Sequence, residues 1–184
     1  MDPDPRLESL LRAMASRSRP VRIVAKRGLW HQTLADTLLR WLTLGRQTRY
    51  LSAYVTTLGH TVYVPDTWDR TPPLQRYCTL RHELVHVAQF ERYGWVGMAL
   101  LYGLLPLPMG LAYGRATLER EAYIETLRAV AETQGLSAAR DPALHQWIIQ
   151  RFTGPDYAWM WPFAKSVHRW LDAAVRDLET PRGA

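Results

Sequence analysis

Cysteine is nearly absent: Cys78 is the single one in 184 residues. That excludes an intramolecular disulfide framework and fits a reducing compartment. Internal repeats and low-complexity tracts are missing too, which argues against a solenoid or a disordered tail. No secretory signal is legible, because Asp2-Pro3-Asp4-Pro5 opens the chain and no apolar stretch follows the early arginines. The expected location is cytoplasmic, with a peripheral membrane attachment left open. Charge is missing from residues 93–114, YGWVGMALLYGLLPLPMGLAYG. That run has the length of a transmembrane helix, yet Pro106 and Pro108 would break a helix near its middle. We expect a hairpin over 94–114 that turns at Leu105–Pro108, with arms of roughly 15 Å. Three placements are open for it: packed in the core, dipped into a membrane interface, or laid over a cleft.

What is present points to a folded globule. Apolar residues make up 47 % of the chain, with eight Trp and nine Tyr, far from a disordered composition. The length suits a single domain, expected over residues 21–184 after a basic N-terminal segment of residues 1–20. The net charge of +6 is unevenly placed: residues 1–50 carry ten Arg and Lys against four acids, and residues 51–184 carry thirteen of each. The excess concentrates between Arg17 and Arg27. Such a flank can take phosphate backbones or anionic headgroups, and nucleic acid is a weak candidate partner. Its simplest reading is a solvated segment.

The densest chemistry lies at residues 82–86, His82-Glu83-Leu84-Val85-His86. On a helix, positions i and i+4 share a face, with Cβ atoms roughly 6 Å apart. Two imidazoles so placed can bind one Zn²⁺ at about 2.0–2.1 Å per Zn–N bond. Glu83 projects beside that position and can act as general base toward a metal-activated water. The pattern arises by chance in roughly one chain of this composition in a hundred. Leu80, Leu84, Val87 and Ala88 form an apolar stripe at helical spacing, so we expect a packed back and a ligand-bearing front. Cys78, four residues before His82, shares the ligand face and is read as a small buried residue.

A catalytic zinc site uses three protein ligands and leaves a position for water. After 32 intervening residues comes Glu119-Arg120-Glu121-Ala122-Tyr123, within a strongly helical run. Here the chain resembles the gluzincin metallopeptidases, in which an HExxH helix is followed by a second helix bearing a glutamate ligand in an ExxA/S-D pattern. The resemblance implies that Glu119 is the third ligand, with Glu121 as its rival, and that Ala122 fills the small position. Tyr123 stands where the family usually has the Asp that orients a histidine ligand. A single membrane crossing by residues 93–114 would separate His86 from Glu119 by about 30 Å of hydrocarbon, so the ligand set and a crossing exclude each other.

Periodicity supplies the surrounding elements. Residues 6–16 read as an amphipathic helix, Val21–Lys26 as a strand, and Trp30–Leu44 as a helix. Tyr50–Thr57 and Thr61–Val64 are strands joined at Leu58-Gly59-His60, and Leu74 begins the HELVH helix. Ala116–Thr133, Pro142–Phe152 and Phe163–Leu178 are helices; Glu121 and Glu125 are assigned to a solvated face. The aromatic linker 154–162 is either a second core cluster or an apolar cleft wall. The fold class is therefore α+β: a small N-terminal mixed or antiparallel sheet with the metal helix, then a mainly helical C-terminal half. The order of elements is similar to that of a zincin. By that analogy Thr61–Val64 would be the edge strand that pairs with an extended substrate peptide.

The expected activity is that of a zinc-dependent peptidase holding one Zn²⁺ on His82, His86 and Glu119, with Glu83 as general base and a peptide or protein as substrate. Tyr123, Tyr157, His145 and His168 are the candidates for orienting a ligand or stabilising an oxyanion, each with a structural role as the simpler reading. His31 and His60 have no motif context. The alternative is a zinc-binding or partner-binding protein on the same scaffold that does not hydrolyse, associated through the basic flank or the hairpin with nucleic acid or membrane.

Overall fold

The computed structural model describes residues 4–26, 55–103, 113–154 and 160–180. The chain divides into two compact units, Met1–Arg92 and Tyr93–Ala184. The class is α+β: the described residues form a three-stranded mixed sheet and are otherwise mostly helical.

In the first unit, helix α1 (Pro5–Ala15) starts where Asp4 caps it: its Oδ1 accepts from the Arg6 N–H at 2.8 Å, and Pro5 occupies the first turn. A side-chain acceptor and a proline suit that end, where backbone donors lack helical partners. Leu7 and Met14 turn inward, and the Val21 N–H donates to the Met14 carbonyl at 3.1 Å. This bond ties the end of α1 to the residue that leads into the first strand. Strand β1 (Arg22–Ala25) runs parallel to β3 (Thr61–Val64), which pairs antiparallel with β2 (Thr56–Leu58). A tight turn links β2 to β3, and Gly59 there takes φ 60°, a left-handed conformation that glycine adopts without a Cβ penalty.

The order β1-β3-β2 places Thr61–Val64 at the centre of the sheet, not at its edge. The edge assignment is corrected for a physical reason: both sides of β3 already carry ladder hydrogen bonds, so no peptide can add there. Val62 and Val64 are buried while Thr61 and Tyr63 are half-exposed, the alternation of a strand with one packed face. The predicted helix Trp30–Leu44 and strand residues 50–54 lie outside the described residues.

Helix α2 (Pro73–Met98) carries HELVH and bends at Gly94, where φ is 65° and ψ 179°. The expected stripe is corrected in part. Leu80 and Val87 are buried, but Leu84 is half-buried and Ala88 exposed, and the buried side also takes in Glu83, His86 and Gln89. Polar groups tolerate that position because they are hydrogen-bonded to one another or to the sheet.

In the second unit the helix continues past Gly94 into a π-helical turn (Ala99–Gly103), and the chain comes back as α3 (Tyr113–Gln134). A Cβ on Gly114 would lie 2.8 Å from the Leu101 carbonyl oxygen, so only glycine permits this approach of the two arms. Leu101 and Gly114 thus lie close together; the expected turn at Leu105–Pro108 lies outside the described residues. Gly135, at φ 91°, ends α3. A short α4 (Leu136–Ala139) precedes α5 (Pro142–Thr153), which Asp141 caps through the Ala143 N–H at 2.8 Å. Helix α6 (Ala164–Glu179) follows. Tyr123 and Leu127 from α3, Ile148, Ile149 and Phe152 from α5, and Val167, Leu171 and Val175 from α6 form the core. Each such side chain stabilises the fold by about 1.5–3 kcal/mol through removal from water. Met160 is 1 % exposed and belongs to that core, with Trp161 packed against it, so this end of the aromatic linker is core. No helix among the described residues is long and apolar enough to cross a membrane.

Candidate metal centre

Two helices supply the candidate ligands. On α2, the i, i+4 spacing brings the rings of His82 and His86 to 5.0 Å between centroids, edge to face at 75°. On α3, Glu119 sits between Leu118 and Ala122, and is 1 % exposed. His82, His86 and Glu119 each offer one ligand atom, and these atoms lie within 4.8 Å of one another. Among the described residues this is the one group of three or more His, Cys, Asp or Glu side chains so placed.

The donor chemistry fits a borderline divalent cation. Two imidazole nitrogens and a carboxylate oxygen are a combination that zinc accepts. Ligand atoms around a tetrahedral ion at usual bond lengths stand about 3.3 Å apart, a small side-chain adjustment from the spacing present. His86 is already oriented for the task. Its Nδ1 lies 2.9 Å from the Oε1 of Gln89, and because an amide oxygen only accepts, this contact favours the tautomer with the proton on Nδ1. In that tautomer the lone pair is on Nε2, the nitrogen suited to a metal.

Glu83 is held just as firmly. It is 5 % exposed, and the Thr57 hydroxyl on β2 donates to its Oε2 at 2.6 Å. A short bond from a hydroxyl to a carboxylate is among the stronger hydrogen bonds available to a protein. It holds the carboxylate in place against β2.

No family model, curated protein or solved structure matches this chain.

The other sequence candidates are placed differently. Glu121 is exposed and outside the metal group, so the rival ligand is set aside. Glu125 is half-buried and pairs with Arg128, which corrects its assignment to a solvated face. Tyr123 is 3 % exposed within the core, its ring 5.6 Å from Phe152 and 5.9 Å from Trp147. His145 is buried and its Nε2 meets the Ala139 carbonyl at 2.8 Å, which joins α5 to α4. That bond uses the ring nitrogen structurally. His168 is exposed on α6, and Tyr157 and His31 lie outside the described residues. Cys78 is buried but not part of the group. His60 approaches Glu91 at 3.7 Å. Of the basic flank, Arg17 pairs with Glu91 at 3.0 Å and Lys26 is buried against the Thr56 hydroxyl at 3.2 Å, so the fold itself occupies both cations.

Sequence reasoning missed Thr57 and Gln89. Gln89 had a signal: it stands three residues after His86, the helical spacing at which one side chain reaches the next. Thr57 had none, because its reach to Glu83 depends on how β2 lies against α2.

Proposed function

We propose that this chain is a zinc-dependent peptidase of the gluzincin type on a zincin-like fold. The observation that carries the reading is the convergence of His82, His86 and Glu119 ligand atoms within 4.8 Å, beside a buried carboxylate anchored by Thr57. His82, His86 and Glu119 would hold the ion. When bound, it would lower the pKa of water toward neutrality and polarise a scissile carbonyl.

The chain's own groups do the rest. Glu83 takes the proton from the attacking water and returns it to the departing amine. Thr57 holds the carboxylate in one rotamer through both transfers, so that little reorganisation is needed during reaction. Gln89 keeps His86 in the tautomer that ligates. In this way Gln89 supplies, from the metal helix itself, the orienting bond that an Asp in place of Tyr123 would make in the family pattern.

The test is Glu83→Gln. The variant is expected to retain stoichiometric zinc and the same melting behaviour, while peptide hydrolysis falls by at least about a thousandfold. Undiminished cleavage would sink the mechanism. One observation favours a second reading, a zinc-binding protein without hydrolysis: Tyr123, whose ring packs in the core, stands where the family pattern has an orienting Asp. That reading expects zinc in the wild-type protein and no cleavage of unfolded proteins or peptide libraries.

A further inference from the structure

The second unit carries an apolar surface that the metal site does not use. After Gly94, α2 has two apolar sides. Met98 is buried and Leu101 half-buried, and these face the protein. Trp95, Val96 and Leu100 are 64 %, 75 % and 51 % exposed, and Ala99 between them is exposed as well. Positions 95, 96, 99 and 100 fall on one side of a helix. The returning arm adds to it: Leu101 abuts Gly114, and the neighbouring Tyr113 is 63 % exposed. Its ring lies 5.8 Å from Trp161, which lies 5.3 Å from Phe163, itself 52 % exposed. Large apolar side chains grouped in this way mark an interaction surface, not scattered exposure.

Three observations choose the occupant. First, residues 93–114 contain no charged side chain, so no ionised group along this run opposes entry into an apolar interface. Second, the exposed aromatics are amphipathic Trp95 and Tyr113 at the two ends of the uncharged run, where Trp and Tyr settle at a headgroup boundary. Third, the exposed face of α6 just after Phe163 presents Lys165, His168 and Arg169 before its first acid, Asp172. Cations beside an apolar patch are complementary to anionic headgroups. The arm from Trp95 to Gly103 is roughly 13 Å long, too short for a bilayer core of about 30 Å and suited to lying in its interface.

We propose that Trp95, Val96, Leu100, Tyr113 and Phe163 seat this unit in the surface of an anionic lipid bilayer, with Lys165 and Arg169 on the headgroups. This goes beyond the peptidase reading and does not depend on it, because its readout involves neither metal nor hydrolysis.

The experiment is co-sedimentation of the full chain with vesicles of phosphatidylcholine alone or with about a third phosphatidylserine, at low and high salt. The wild type is expected to bind the anionic vesicles, with weaker binding at high salt. Val96→Glu with Leu100→Glu is expected to lower the partition coefficient at least tenfold on both vesicle types. Lys165→Glu with Arg169→Glu is expected to remove the phosphatidylserine and salt dependence. All four positions are exposed, and circular dichroism checks that the fold is kept; Val96→Ser with Leu100→Ser is the milder pair if the glutamates disturb it. Wild-type protein that stays in the supernatant overturns the proposal, as does unchanged binding by the Glu variants. So does a wild-type dimer in sedimentation velocity that Val96→Glu with Leu100→Glu converts to monomer without any lipid binding, which would assign the face to a second copy of the chain.

Discussion

The Thr57 hydroxyl on β2 donates to Glu83 Oε2 at 2.6 Å, across 26 residues of sequence and out of contact with solvent. A buried carboxylate is costly unless hydrogen-bonded, and a carboxylate free to rotate would be a poor base. Thr57→Val keeps the shape and removes the donor. We expect hydrolysis to fall about 10–100-fold, as with other supports of metal-site residues, and stability to fall by about 1–3 kcal/mol. Thr57→Ser should restore most of both. Steady-state rates at saturating peptide and urea melts are the measurements. A Val variant indistinguishable from wild type would remove Thr57 from the account.

Gln89 makes the corresponding bond to His86 Nδ1 at 2.9 Å, and is 3 % exposed. Gln89→Leu is close in volume and lacks the acceptor. The expected outcome is zinc affinity weakened about 10–100-fold with secondary structure intact, read by competition against a chromophoric chelator. Unchanged affinity would mean that His86 is oriented by something else.

Elemental analysis of Glu119→Ala beside Glu121→Ala tests the ligand set. Glu119 is 1 % exposed and in the group, whereas Glu121 is exposed and outside it. Zinc should be lost from the first variant and retained by the second. Retention by Glu119→Ala at wild-type stoichiometry would dismantle the proposed centre.

The site was legible in the sequence to the extent that helical spacing dictates it. His82, Glu83 and His86 lie within one turn and a half, so their juxtaposition follows from helix geometry alone. Glu119 was reached only by resemblance, and its preference over Glu121 came from a family pattern; burial separates them because adjacent odd positions on a helix point some 200° apart. Strand existence was readable in Val21–Lys26 and Thr61–Val64 from alternation. Strand order was not: the central place of β3 depends on a parallel pairing with β1, and nothing local to either strand encodes its partner. Ala88 was misplaced for a related reason. An apolar residue is free to face water, and the hydrogen-bonded Glu83 and Gln89 took the buried side instead.

The core of the second unit offers a test independent of any metal. Phe152 is 1 % exposed, and its ring lies 5.6 Å from Tyr123 on α3 and 5.5 Å from Trp170 on α6. Its backbone carbonyl also accepts from the Trp161 N–H at 3.0 Å, which ties the aromatic linker to α5. Phe152→Ala removes a ring that contacts aromatic side chains of both α3 and α6. The expected cost is about 3–5 kcal/mol, the sum of lost transfer free energy and the cavity left behind. Phe163→Ala, at a ring 52 % exposed, should stay within about 1 kcal/mol. Urea titration followed by far-ultraviolet circular dichroism measures both. If Phe152→Ala cost no more than Phe163→Ala, these helices would not be packed around that ring, and the description of the second unit would have to be redrawn.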